Sequence, residues 1–299
     1  MIRTISNLTL PAIIWFIFTA TLFNSVISLG DEKQTEQIGL LWKIAKPGAE
    51  PSYLFGTIHL NDERVKNLAP PVKSAFENAK SFTMEMITDT NGLAVMSNVM
   101  FLDDGLSLKK LTGEKLYQET IRVLLKRGMT TENLDRLKPW VIVMMLSTPK
   151  AKSGLFLDMD LYLKAFTARK PTYGLETMAE QLAPFDGMLL KDQVALLKDS
   201  LQANDQQDAQ LEEITQAYLE RNLTRLLTIA DSYQTQAGAA YDELMVQLIS
   251  DRNLRMQQRM QVRLREGNAF IAVGALHLPG DKGLIKLLQK QGYSVTSVY

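Results

Sequence analysis

The chain contains no cysteine, which removes disulfides, thiolate metal ligands and thiol nucleophiles together. Histidine is nearly as scarce, with two in 299 residues. Neither sign of charge predominates: lysine plus arginine and aspartate plus glutamate each total 33. With no basic block either, the electrostatic footprint of a nucleic-acid partner is missing. Also absent are a Gly-x-Ser-x-Gly elbow, a phosphate-binding glycine-rich loop ending in Lys-Ser or Lys-Thr, and a His-Glu-x-x-His helix, the marks of common hydrolases and nucleotide-binding proteins. Beyond the first thirty residues no apolar run approaches the roughly 20 residues of a membrane span.

Those first thirty residues differ in kind from the rest. Arg3 supplies positive charge, Leu8 to Phe23 is largely apolar, and Val26-Ile27-Ser28 offers a cleavage point, the pattern of a secretory signal peptide over residues 1–28. An uncleaved N-terminal anchor is the alternative. Residues 29–39 read as a linker and 40–299 as a single domain, with 46% hydrophobic residues sufficient for one large core. The mature protein is expected outside the cytoplasm, in a bacterial periplasm or secreted.

Leu40 to Ile44 and Ser52 to Ile58 read as strands joined by a Pro47-Gly48 turn. Pro70-Pro71 opens a helix to about Lys80, and Ser81 to Ile87 follows as a strand. From Leu93 to about Thr148 the chain is mostly helical, with Thr131 as a candidate N-cap, and Asp158 to Lys170 is a further helix. Pro171 to Leu175 is a short strand, and Thr177-x-x-Glu180 has the pattern of a capping box. Leu189 to Asn204, Asp205 to Tyr233 and Ala239 to Glu266 read as three long helices. Ala269 to Gly274 is a continuous apolar strand, Leu284 to Gln291 a helix and Tyr293 to Val298 a final strand. The expected fold is α/β, a central sheet assembled from N- and C-terminal α/β halves with a large helical middle at about residues 93–266.

The two histidines occupy the same motif. His59 ends Gly56-Thr57-Ile58-His59 and His277 ends Gly274-Ala275-Leu276-His277, each just after an apolar strand. With 17 glycines in the chain, the chance that both histidines carry one three residues upstream is about 0.3% under a composition prior. Gly56 and Gly274 let the backbone turn or approach closely at a strand end, imidazole there serves as ligand, acid or base, and strand ends are where open sheets place ligands. Two histidines make an incomplete catalytic metal site, which typically uses three protein ligands. Two carboxylates are candidates to complete it. Glu85 is a charge inside the apolar strand Phe82-Thr83-Met84-Glu85-Met86, and Glu176 stands at a strand-to-helix junction.

Arg252 falls on the apolar stripe of Met245, Leu248, Ile249, Met256 and Met260. With Asn253 it is placed to orient a ligating glutamate or to meet a developing oxyanion. Asp158-x-Asp160 reads as an N-cap rather than a metal site.

Taken together, Leu54 to His59, Glu85, Gly174-Leu175-Glu176-Thr177 with Gln181, Arg252-Asn253, and Gly274 to Leu278 followed by Gly280, Gly283 and Gly292-Tyr293 resemble the TraB/GumN family. That family also takes in PrgY and the animal Tiki proteins, and the resemblance covers nearly the whole mature chain. It implies an α/β fold whose halves share one sheet, with the paired motifs meeting at a common site. It further implies a metal-dependent hydrolase acting on a peptide or protein substrate. By resemblance His59 and His277 would be metal ligands, Glu85 or Glu176 third ligand or general base, and Arg252 with Asn253 orienting or transition-state groups. Nitrogen and oxygen ligands alone leave manganese, cobalt, iron and zinc all open. The rival expectation is a cell-envelope protein that binds a metal, haem or a peptide without turnover.

Overall fold

The structure, a computed structural model, describes residues 36–148, 155–232 and 238–299; the expected signal peptide and most of the expected linker lie outside the described residues. Strands β1 (Leu41–Ala45) and β2 (Ser52–Thr57) form a hairpin across the Pro47-Gly48 turn, where Gly48 takes a φ of +93° that favours glycine. A short helix α1 (Glu63–Lys66) leads to α2 (Pro70–Asn78), which prolines open as expected. Strand β3 (Ser81–Met86) completes the N-terminal unit.

The middle of the chain is helical: α3 (Thr90–Val99), α4 (Leu108–Lys126), α5 (Pro139–Ser147) and α6 (Leu157–Thr167). One strand, β4 (Thr172–Glu176), interrupts it before α7 (Met178–Asp186), α8 (Leu190–Ala203), α9 (Gln207–Leu219), α10 (Leu223–Ser232) and α11 (Ala239–Met245). A π-helical segment, Val246–Asp251, then runs into α12 (Arg252–Glu266). Strand β5 (Ala269–Gly274), helix α13 (Leu284–Lys290) and strand β6 (Ser294–Ser297) end the fold.

The six strands form one sheet in the order β4-β3-β5-β2-β1-β6. Neighbours among β4, β3, β5 and β2 are parallel, whereas β1 is antiparallel to both β2 and β6. The C-terminal strand β5 thus lies between two N-terminal ones, so the two halves share a sheet as expected. Strands β2, β3 and β5 are almost wholly buried, which explains why they read as near-continuous apolar runs. Phe76 packs edge-on against both Phe82 and Phe270 at centroid separations of 5.7 and 5.3 Å, tying α2 to the sheet.

Register sets up the site. Thr57 of β2 faces Gly274 of β5, Met84 of β3 faces Ala272 of β5, and Met86 of β3 faces Glu176 of β4. The carboxyl ends of four parallel strands therefore lie side by side, where open α/β sheets bind ligands.

Several element boundaries differ from expectation for local reasons. The stretch read as one helix from Asp205 breaks into α9 and α10 at Arg221, whose φ is +61°, a left-handed conformation that interrupts the helical path; Tyr233 lies outside the described residues. Thr131 caps no helix: a 3-10 turn, Leu134–Arg136, follows Asn133 in the left-handed region, and α5 begins only at Pro139. Residues 36–39, expected as the linker's end, are tied to the start of α10 by bonds between Gln37 and both Leu223 and Thr224 and from Gly39 to Arg221. The capping box at Thr177 and Glu180 is present with both reciprocal bonds.

Candidate functional site

A side chain at either glycine of the paired motifs would crowd its neighbours, severely at Gly56 and mildly at Gly274. A Cβ on Gly56 would stand 2.4 Å from Leu278 Cδ1 and 3.1 Å from the Ala275 backbone, so glycine lets β2 approach the turn that carries His277. On Gly274 it would meet a carboxylate oxygen of Glu85 at 3.3 Å, the same oxygen that accepts the Gly274 N–H at 2.7 Å. Close approach, rather than a left-handed turn, is what both positions require: neither has positive φ.

Beyond those glycines the two histidines face one cavity together with Glu85 and Arg252, and each ring is held from behind through Nδ1. His59 Nδ1 donates to Asp158 Oδ2 at 2.7 Å, and Thr57 Oγ1 donates to the other oxygen of the same carboxylate. His277 Nδ1 donates to Asn253 Oδ1 at 2.7 Å, while Asn253 Nδ2 donates to the Lys282 carbonyl at 2.9 Å. That second bond fixes which end of the amide faces the ring. His277 Nε2 consequently presents its lone pair toward Glu85 Oε1, 3.5 Å away.

Glu85 and Glu176 are not equivalent. Glu85 keeps 12% of its side chain exposed and lines the cavity. The Glu176 side chain is completely buried behind it, taking two bonds from Arg252 at 2.7 and 2.8 Å and one from Arg255 at 2.9 Å. Arg252 also donates to Glu85 at 2.6 Å, and Gln181 reaches both carboxylates at 3.3 and 3.4 Å. One guanidinium, 1% exposed, thus clamps the two acids together, fork to oxygen.

These surroundings set the protonation states. Burial opposes ionisation of Glu85, but Arg252, then His277 and His59, hold its carboxyl well below the usual range. Burial drives His277 down to about 3, aided by Arg252 and His59 and opposed by Glu85, so its imidazole is neutral near pH 7. For His59 burial also favours the neutral ring, yet the Asp158 carboxylate outweighs it and the pKa is raised.

The donor set suits a divalent cation in kind: a neutral imidazole, an ionised carboxylate and a second imidazole, each oriented by an outer partner. One spacing also suits it, since bonds of about 2.1 Å put neighbouring tetrahedral ligands about 3.4 Å apart, close to the His277–Glu85 separation of 3.5 Å. Among the described residues, however, no group of three or more histidines and acids is gathered closely enough to hold a metal ion.

The six expected site residues, His59, His277, Glu85, Glu176, Arg252 and Asn253, all take part in this cluster, whereas Asp158 is not the N-cap its position suggests. The N-cap of α6 is Phe156, and Asp158 lies buried in the first turn because its carboxylate binds Thr57 and His59 instead of the helix end. Its spacing to the buried Leu161 and Ala165, three and seven residues on, puts a charge on an apolar stripe. That is the signal which singled out Arg252. Arg255 and Tyr218, whose hydroxyl donates to the Gly56 carbonyl at 2.9 Å, carried no such signal.

The model of the TraB/PrgY/gumN family matches residues 40–297. Metalloprotease TIKI1 of Xenopus tropicalis is 26% identical across 97% of this chain and 68% of its own length. Metalloprotease TIKI1 of Danio rerio is 27% identical across 88% of this chain and 63% of its own length. Uncharacterized protein YbaP of Shigella flexneri is 25% identical across 82% of this chain and 90% of its own length. The chain therefore spans about two thirds of those TIKI relatives. No solved structure matches.

Proposed function

The chain belongs to the TraB/PrgY/gumN family, and from that membership we propose that it is a metal-dependent hydrolase cleaving peptide bonds of a peptide or protein substrate outside the cytoplasm. The observation that carries this reading is the meeting of His59, His277 and Glu85 in one cavity, brought there by parallel strands from both halves of the chain. Relatives named as metalloproteases support the reaction class. The apolar N-terminal stretch supports the location, and no described helix is long and apolar enough to cross a membrane.

His277, Glu85 and a deprotonated His59 would hold the cation. Bound there, it would supply Lewis acidity, lowering the pKa of a water and drawing electron density from the carbonyl to be attacked. The chain's own groups do the rest. Asp158 and Asn253 accept the Nδ1 protons and keep both Nε2 lone pairs turned inward. Arg252 keeps Glu85 ionised and carries positive charge to the cavity wall, where negative charge develops on the carbonyl oxygen. Glu176, shut off from the cavity, acts as a positioning residue for Arg252 rather than as the general base.

Elemental analysis of the purified mature protein beside the His59→Ala/His277→Ala double variant, together with a peptide-library digest under added manganese, cobalt, iron or zinc, tests the reading. The expected result is near-stoichiometric metal and cleavage in the wild type, with both lost in the variant. Equal metal content in the two proteins and no cleavage under any metal would overturn it. The lack of a closed three-donor group among the described residues favours a second reading, a protein that binds a peptide ligand without turnover, which stoichiometric peptide binding with no product would support.

A further inference from the structure

The polar cluster makes up only part of its cavity's lining. Away from it the wall is mostly apolar and comes from six helices: Val143 of α5, Phe185 of α7, Leu196 of α8, Ile214 of α9, Ile229 of α10 and Leu244 of α11. Apart from the cluster itself, Thr57, Ser147 and Tyr241 are the hydroxyl-bearing groups that line it. A charged or strongly polar group pushed against such a wall would lose its hydration without compensation, whereas an apolar one gains roughly in proportion to the area it hides. The cavity volume, about 130 Å³, is close to that of an engineered leucine-lined cavity of about 150 Å³ that accepts benzene. It therefore has room for one leucine or phenylalanine side chain, not for a length of peptide.

We propose that this cavity is a specificity pocket, which takes a single large aliphatic or aromatic side chain of the substrate and so presents the adjoining backbone amide to His59, Glu85 and His277. The inference rests on the peptide-hydrolase reading above and adds to it the substrate class: peptides with a bulky apolar residue beside the bond to be cut. The helical middle then has a function the sheet alone does not supply, because the strand ends deliver the reacting groups while α5 and α7 to α11 choose the side chain.

Two measurements on the full-length chain separate this inference from the hydrolase reading. In the first, methionine methyl resonances are followed while N-acetyl-leucinamide, N-acetyl-phenylalaninamide or N-acetyl-glycinamide is added; Met144 and Met245 line the cavity and serve as reporters. The leucine and phenylalanine amides should shift these two signals and the glycine amide should not. Ala230→Phe, which puts a ring into the space, should abolish the response, with Ile214→Phe as a second filling variant if the first does not fold. In the second, the positional preference of the metal-dependent digest is read by mass spectrometry. Leucine or phenylalanine beside the cleaved bond should be favoured at least about tenfold over glycine or aspartate, with the preference reduced in the filled variants.

Cleavage without any such preference, or equal methyl shifts with all three amides, would overturn the pocket while leaving the hydrolase intact. Selective methyl shifts without cleavage under any metal would sink the hydrolase and leave the pocket standing.

Discussion

Arg252 is the residue on which most of the site's charge depends. It is 1% exposed and bonded to both Glu85 and Glu176, so removing it leaves two buried carboxylates with one fewer cation between them. Arg252→Met is expected to destabilise the protein by about 3–5 kcal/mol, the usual cost of breaking a buried pair by deleting one partner. Arg252→Lys should recover only part of this, because an ammonium cannot reproduce the fork. Urea denaturation midpoints check both, and a methionine variant within about 1 kcal/mol of wild type would mean that the clamp contributes little. Arg252 and Glu85 were legible in the sequence because each is a charge where the local period calls for an apolar residue. The pairing between them was not legible, since it joins positions 167 residues apart through strand and helix packing that no local pattern encodes. Asp158 shows the other limit: an aspartate at the start of a helix carries a strong local explanation, and that explanation hid its buried contact with His59.

Among the elements, strands β2, β3 and β5 were readable because burial on both faces makes them continuous apolar runs. Their order was not: β5 inserts between β2 and β3, and only the matching motifs hinted that the halves would interleave. The paired glycines follow from that interleaving. Gly56→Ala places a methyl 2.4 Å from Leu278 Cδ1 and 3.1 Å from backbone of the turn that carries His277. A displaced side chain and a shifted turn are expected to cost about 1–3 kcal/mol and to weaken metal binding beyond what the stability loss explains. Comparing the metal affinity of Gly56→Ala with that of a core variant of equal stability would expose the difference; equal affinities would mean the glycine serves packing alone. The helical middle was legible as helix but not in its interruptions. The π-helical segment Val246–Asp251 shifts the helix register just before Arg252 and Asn253, which is where such insertions commonly accompany functional residues.

At the scale of the whole molecule, the cluster should make the stability of the metal-free protein depend on pH in a defined direction. His277 has a folded pKa of about 3 against an ordinary 6.5, so between those values the unfolded chain takes up a proton that the folded one refuses. Stability therefore falls as pH drops through that window, by an amount on the order of 4 kcal/mol from this group alone. Glu85, also lowered, adds a loss of the same sign once pH falls below its ordinary value of 4.5. His59, raised by Asp158, has the opposite sign: its contribution is present below about pH 6.5 and fades as pH rises through the folded value. A bound cation has to compete with protons at both imidazoles, and at His59 that competition begins at the higher pH. Adding manganese, cobalt or zinc near pH 8 is thus expected to raise the melting temperature, with a stabilisation of about 2.7 kcal/mol at a hundredfold excess over Kd. The increment should shrink as pH is lowered toward 5 and be absent from the His59→Ala/His277→Ala variant. Melting curves over pH 5 to 8, with and without each metal, provide the check; an increment that survives in the double variant, or grows with acid, would put the cation somewhere other than between these rings.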